Sequence, residues 1–268
     1  MRSEIGRNGS LALLYHTSFV LFIVAPLAVV ALVAFTNKDY VALPFDGASL
    51  RWFKAILDAP DIVSAFWLSV WLALGSATIA AALAVPSAVA IARYRFRGRD
   101  TLMAFLMSPL MIPHIVMGVA FLRFFSIAGL SGSFGALTLT HAVIVMPYAL
   151  RLTLAALIGM ERDAEMAAMS LGATRLTTFR RVLLPLIMPG VAGGWMLAFI
   201  QSFDEVTMTI FVATPGTTTL PVAIYNRITQ ITDPLVASIS TVMIFGALIL
   251  MVLLDRVVGL DRVLIGKK

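Results

Sequence analysis

Six long, nearly charge-free runs constrain this chain more than any other feature. They cover residues 11–35, 62–92, 101–122, 134–158, 186–212 and 235–254. A run of about 18 or more apolar residues is long enough to cross a bilayer as a helix. Lipid offers the backbone no hydrogen-bond partner, so a spanning segment must satisfy its own amides and carbonyls. Composition agrees: 13% of residues are charged and 60% hydrophobic, with a mean hydropathy of +0.96, against about 25% charged in soluble domains. No strand periodicity occurs. The expected fold is all-α, a polytopic membrane helical bundle of six transmembrane helices, with residues 1–268 forming one transmembrane domain. The first run follows Arg2 and Arg7 as a signal peptide would, but it exceeds the usual apolar core of about 7–15 residues and contains Pro26. It is read as a retained helix.

Cytoplasmic segments of membrane proteins are enriched in Lys and Arg. With a cytoplasmic N-terminus, the inner segments hold Arg2, Arg7, Arg93, Arg95, Arg97, Arg99, Arg162, Arg175, Arg180, Arg181, Arg256, Arg262, Lys267 and Lys268. The outer segments hold only Lys38, Arg51, Lys54 and Arg227. The bias places both termini in the cytoplasm. It also accounts for the formal net charge of +6 without a nucleic-acid partner. The chain has no cysteine, so disulfides, zinc thiolates and cysteine nucleophiles are excluded.

One segment stands apart from the spans. DAEMAAMSLGATRLTTFRRVLLPLIMPG, from Asp163, carries two acids, three arginines and helix punctuation between two apolar runs. Asp163 is suited to cap a helix. Ala164, Ala167, Ala168 and Leu171 then share one helical face. Gly172 suits the left-handed residue that ends a helix. Thr174 can cap a second helix, on which Leu176, Phe179, Val182 and Leu183 share a face, and Pro185 and Pro189 mark the return to the membrane. Two readings of the small-residue face are open: a helix that docks in another protein's groove, or one that lies on lipid.

This segment resembles the cytoplasmic loop of binding-protein-dependent ABC importer permeases. Their motif runs Glu-Ala-Ala, three residues, Gly, nine residues, Ile-x-Leu-Pro. Aligned on Gly172, the two alanines are Ala167 and Ala168, and Val182, Leu184 and Pro185 fill the last positions. The motif glutamate falls on Met166, with Glu165 one residue earlier. SLRWFKAIL resembles the short amphipathic segment before the second span, and RYRFRGRD the basic loop after it. SFDEVTMTIFVATPGTTTLPVAIYN resembles the fifth span and outer loop of the spermidine/putrescine branch. The resemblance implies that a loop over about 159–185 forms a coupling helix seated in an ATPase cleft, with Glu165, Ala167, Ala168, Leu171, Gly172 and Pro185 as coupling residues. It implies a bacterial inner-membrane permease subunit that acts with a second permease subunit, two ATP-binding subunits and a periplasmic substrate-binding protein. The substrate it suggests is a polyamine or related organic cation. The runner-up is an anion or ferric iron on the same scaffold.

No G-x-x-x-x-G-K-[ST] occurs, so ATP hydrolysis belongs to another subunit and no cofactor is expected here. GLSG, Gly129–Gly132, matches the G-x-S-G of rhomboid-type intramembrane proteases. A serine nucleophile needs a base in reach, and His141 lies only ten residues on, so a glycine-rich turn is preferred over a membrane enzyme. His16, His114 and His141 lack metal-ligand spacing, and His114 is read as a hydrogen-bonded residue within the bundle. Pro109 and Pro113 are expected to kink the third span. Arg151 is placed near the inner end of the fourth. Arg227 is open to two readings, a binding-protein contact or a solvated side chain. Asp204 and Glu205 break the fifth run in its outer half. An acid inside a membrane usually faces the bundle interior or water, so the pair are the candidate substrate-pathway residues, with Asp204 preferred. The other reading is structural: one acid caps a broken helix or pairs with a base such as Arg123.

Overall fold

The computed structural model describes residues 9–230 and 233–258. The termini, and with them several of the basic residues that orient the chain, lie outside the described residues. Twelve α-helices and three short 3-10 or π turns make up the ordered elements, and no strand occurs among the described residues. Four helices are long and apolar enough to cross a membrane, or five if one sharply bent pair counts as a single span. The described residues gather into two compact units, one drawn from the described residues up to 63 and from 224–251, the other from 64–223 and the described residues after 251.

In the first unit α1 (Gly9–Val33) carries Pro26 and is exposed along almost its whole length. A loop follows, in which Lys38 pairs with Asp46 at 2.6 Å and Arg51 with Asp39. The Trp52 indole N–H donates to the Lys38 carbonyl at 3.2 Å, which ties the loop to the short α2 (Arg51–Leu57). Arg227 is part-buried and paired within the unit. Its guanidinium sits between Asp61 at 3.2 Å and Asp233 at 3.3 Å. Asp233 in turn accepts the Leu235 amide at 2.9 Å, at the start of α12 (Leu235–Val258).

The second unit holds most of α3 (Pro60–Arg93), then α4 (Arg99–Met107), α5 (His114–Ile127) and α6 (Phe134–Ile158). It continues through α7 (Asp163–Ser170), α8 (Arg175–Thr178) and α9 (Leu184–Phe203) to α10 (Thr209–Val212) and the first residues of α11 (Leu220–Gln230).

Three expectations change here. The third run is not one continuous helix. A 3-10 turn over Ser108–Leu110 follows α4, and the chain bends by 98° before α5. Pro113 sits at the N-cap of α5 with an extended ψ of 131°; proline removes a backbone donor and disfavours helix in the residue before it. The fifth span is longer at its N-terminal end and shorter at its C-terminal end. It is continuous over Arg175–Phe203, because the chain passes Pro185 through a π turn at Phe179–Leu183. There the Leu184 amide reaches the Phe179 carbonyl, five residues back, a widening that accommodates a missing donor within a helix. The span stops at Phe203, so Asp204 and Glu205 lie beyond the helix rather than inside it. Finally, Asp163 does not cap α7. Arg162 occupies the N-cap without a side-chain bond, and Asp163 is the first helical residue, where its charge favours the positive end of the helix dipole.

The centre of the second unit is the seam between α6 and α9, and it is built from small residues. A Cβ placed on Gly190 would fall 2.4 Å from the Ala156 Cβ and 3.0 Å from the Leu152 carbonyl oxygen. One on Gly194 would fall 2.9 Å from the Ala149 carbonyl oxygen. Gly190 and Gly194 are four residues apart, the small-xxx-small spacing that lets membrane helices approach until backbone touches backbone. Leu150, Leu157 and Ile187 are wholly buried nearby. Gly194→Ala therefore forces the helices apart and is expected to cost about 1–3 kcal/mol as overpacking. Thermal unfolding of the purified protein in detergent measures this, and an unchanged midpoint contradicts the seam.

Candidate functional site

Two polar constellations lie in the second unit, one at the α9–α10 break and one around α7.

At the first, α9 has ended and the Asp204 amide still donates to the Ile200 carbonyl at 3.1 Å. The next side chain, Glu205, is only 9% exposed. One carboxylate oxygen accepts the Met208 amide at 2.7 Å, which closes the turn into α10. The other lies 2.7 Å from His114 Nδ1, on the first residue of α5. One carboxylate thus joins the two broken places of the chain, the bend before α5 and the gap after α9. The elements meet closely: a Cβ on Gly118 of α5 would lie 2.9 Å from the Phe211 ring and 3.0 Å from the Met208 carbonyl.

A second histidine completes the cluster. His141, in the middle of α6, is buried. Its two ring nitrogens lie 2.9 Å from Ser202 Oγ on α9 and 3.0 Å from Thr209 Oγ1 at the start of α10. Thr209 Oγ1 also donates to the Glu205 carbonyl at 3.0 Å. Buried polar groups are costly unless partnered, and here each polar side chain has a partner.

The expected acid pair therefore divides. Glu205 is a structural hub, as the structural reading allowed, with His114 as its partner in place of Arg123, whose side chain is exposed. Asp204 is exposed at the C-cap of α9 and is the acid open to a solute. His114 has the hydrogen-bonded role expected of it. The role of His141 was missed. Its sole sequence signal is an imidazole in mid-span, which says nothing of partners 61 and 68 residues away. Ser131 stands exposed on a tight turn between α5 and α6, as expected of GLSG.

The segment from Asp163 to Gly190 keeps its expected outline. Gly172 is left-handed at φ +88°, a conformation that costs L-residues with a Cβ but not glycine. Thr174 caps α8 by accepting the Thr177 amide at 3.2 Å. On α7 the side chains sort by face. Ala164, Ala167 and Leu171 are exposed, Leu171 at 90%, and Ala168 is half-buried. Glu165 turns the other way. It pairs with Arg93, the last residue of α3, at 2.8 Å, in a pair whose side chains are 10% and 14% exposed. Arg162 Nη2 donates back to the Ala92 carbonyl at 3.0 Å and the Arg93 carbonyl at 3.4 Å. A cavity of about 240 Å³ lies beneath α7, lined by Arg93, Tyr94, Met166, Met169, Thr178 and Phe179 among others. Pro185 is exposed but lies on α9, apart from the α7 face.

The family described as binding-protein-dependent transport system inner membrane component matches residues 82–260. The chain is 34% identical over 217 residues to the spermidine/putrescine transport system permease protein PotC of Haemophilus influenzae, covering 81% of this chain and 84% of that one. It is 33% identical over 233 residues to the putrescine transport system permease protein PotI of Escherichia coli, covering 84% and 82%. Among solved structures, a bacterial ABC transporter that imports the acidic polysaccharide alginate superposes with a TM-score of 0.78 over 96% of this chain and 98% of its own. At 15% identity that likeness is one of fold.

The two acids are separable by stability. Glu205→Ala leaves the Met208 amide and His114 without their partner and is expected to cost about 1–3 kcal/mol. Asp204→Asn, at an exposed position, is expected to stay within about 0.5 kcal/mol of the parent. Thermal unfolding in detergent compares them, and equal effects would contradict the division.

Proposed function

The chain belongs to the inner-membrane components of binding-protein-dependent transport systems, and from that premise we propose that it is one of two membrane subunits of an importer for a polyamine or related small organic cation. It is a permease subunit, and ATP hydrolysis resides in a separate subunit. The proposed set is completed by a second permease, two ATPase subunits and a periplasmic protein that delivers the solute. The proposed topology has six spans: α1, α3, the bent α4–α5 pair, α6, the helix over Arg175–Phe203, and α12. Both termini then lie in the cytoplasm with α7.

One observation carries the coupling part of this reading. Leu171, the largest apolar side chain on the outer face of α7, exposes 90% of its surface, while the helix's opposite face is anchored to α3 by a charged pair. A helix with a small, apolar, uncovered face and a fixed back suits insertion into a groove of another subunit. Ala167, Ala168, Leu171 and Gly172 form the proposed contact with the ATPase. Lipid is the weaker occupant, since interfacial helices are usually Lys- and Arg-rich on the polar face and α7 carries neither residue.

The substrate class rests on the polyamine permeases it resembles and on Asp204, an exposed carboxylate at the end of a span that a cation can approach. The test is uptake of labelled spermidine and putrescine into vesicles holding the complete transporter. Asp204→Asn is expected to lower uptake of both, on the order of tenfold for one charged contact. Ala168→Glu places a charge in the docking face and is expected to abolish uptake while the permease still accumulates in the membrane. Normal transport by Ala168→Glu would remove α7 as the docking surface. Uptake of an anion, and of neither polyamine, would overturn the substrate class.

A further inference from the structure

We infer that Arg93 and Glu165 form an intrasubunit strut, a positioning pair through which displacement of α7 is passed to the inner end of α3. The inference rests on the proposal that an ATPase docks on α7, and it assigns Glu165 away from that contact.

The geometry is reciprocal. Arg93 reaches from the end of α3 to the Glu165 carboxylate at 2.8 Å and to the Met160 carbonyl, ahead of α7, at 3.5 Å. Arg162 reaches from the N-cap of α7 back to the carbonyls of Ala92 and Arg93 at 3.0 and 3.4 Å. Two arginines thus cross between the same two helix ends in opposite directions. Arg162 also meets carbonyls that have no helical partner, where a cation is favoured by the helix dipole.

The surroundings set the ion pair apart from softer contacts. The outer face of α7 is uncovered and a cavity of about 240 Å³ lies under its inner face, with Met166 and Met169 at the edge. Flexible methionines beside a void adapt to displacement rather than transmit it. The ion pair is largely withdrawn from water, so its attraction is weakly screened. Removing one partner leaves a buried charge uncompensated. Arg93 is the first of four arginines in RYRFRGRD, and the other three are exposed. Glu165 is the acid one residue ahead of the motif position held by Met166. The side chain that departs from the family spacing is the one turned onto this subunit.

The test uses the complete reconstituted transporter and reads labelled substrate taken up per ATP hydrolysed. A general loss of folded protein lowers both quantities together, whereas a lost strut lowers their ratio. Glu165→Gln keeps the side chain's volume and removes its charge. It is expected to lower the ratio about tenfold, within the 5- to 150-fold range typical of coupling between sites, with the ATPases still co-purifying. Arg93→Glu is expected to do the same, and Arg93→Glu combined with Glu165→Arg to recover the ratio to within about threefold. An unchanged ratio in Glu165→Gln overturns the strut. So does a double reversal no better than Arg93→Glu alone, or loss of ATPase co-purification in Glu165→Gln, which would return Glu165 to the ATPase contact. Failure of the docking proposal reads differently: Ala168→Glu would then transport normally whatever the state of the pair.

Discussion

Hydrocarbon offers no hydrogen-bond partner, so each place where a membrane helix stops must find its partners within the protein. Two of the places where helices stop in the second unit are the bend before His114 and the gap after Phe203. The two breaks lie against one another. Glu205 accepts the Met208 amide from one break and meets His114 from the other, and Thr209 donates to the Glu205 carbonyl while contacting His141. An acid at the centre of a membrane helix is costly, by about 2.5–3.5 kcal/mol on insertion scales. Placed past the helix end with a histidine and an amide to meet it, the same acid becomes the group that permits the break.

Packing and polarity divide the work along α9. Toward its N-terminus and centre it presses glycine against the α6 backbone, with Gly190 and Gly194 leaving no room for a Cβ. Its C-terminal end gives up helical structure and is held by side chains instead. The seam is suited to rigidity, since backbone contact permits little sliding. The α9–α10 break is held by a few directional contacts.

The all-α class and the apolar spans were legible in the sequence because apolar length depends on local composition. Gly172 was legible for the same reason, since a left-handed helix end is a local demand that glycine meets at φ +88°. Thr174 capped its helix as its position suggested. What failed was either a competition between neighbours or a matter of distance. Asp163 is a good capping residue, but the chain began the helix at that residue and put Arg162 at the cap, where its guanidinium reaches the end of α3. The proline pair 109 and 113 predicts distortion, yet nothing local separates a kink from a 98° turn. Glu205 could not be told from Asp204 as the structural acid, because its partner His114 is 91 residues away. The pairing of Glu165 with Arg93, 72 residues earlier in the chain, was likewise beyond local reading.

The account depends on α7 offering its Leu171 face to an ATPase subunit. The chain has no cysteine of its own, so Leu171→Cys supplies a single thiol for a bulky maleimide. Labelling is measured on the permease alone in detergent and on the complete transporter. The account predicts ready labelling of the isolated permease and strong protection once the ATPase subunits are bound. Equal labelling in both states would place Leu171 outside the interface and contradict it.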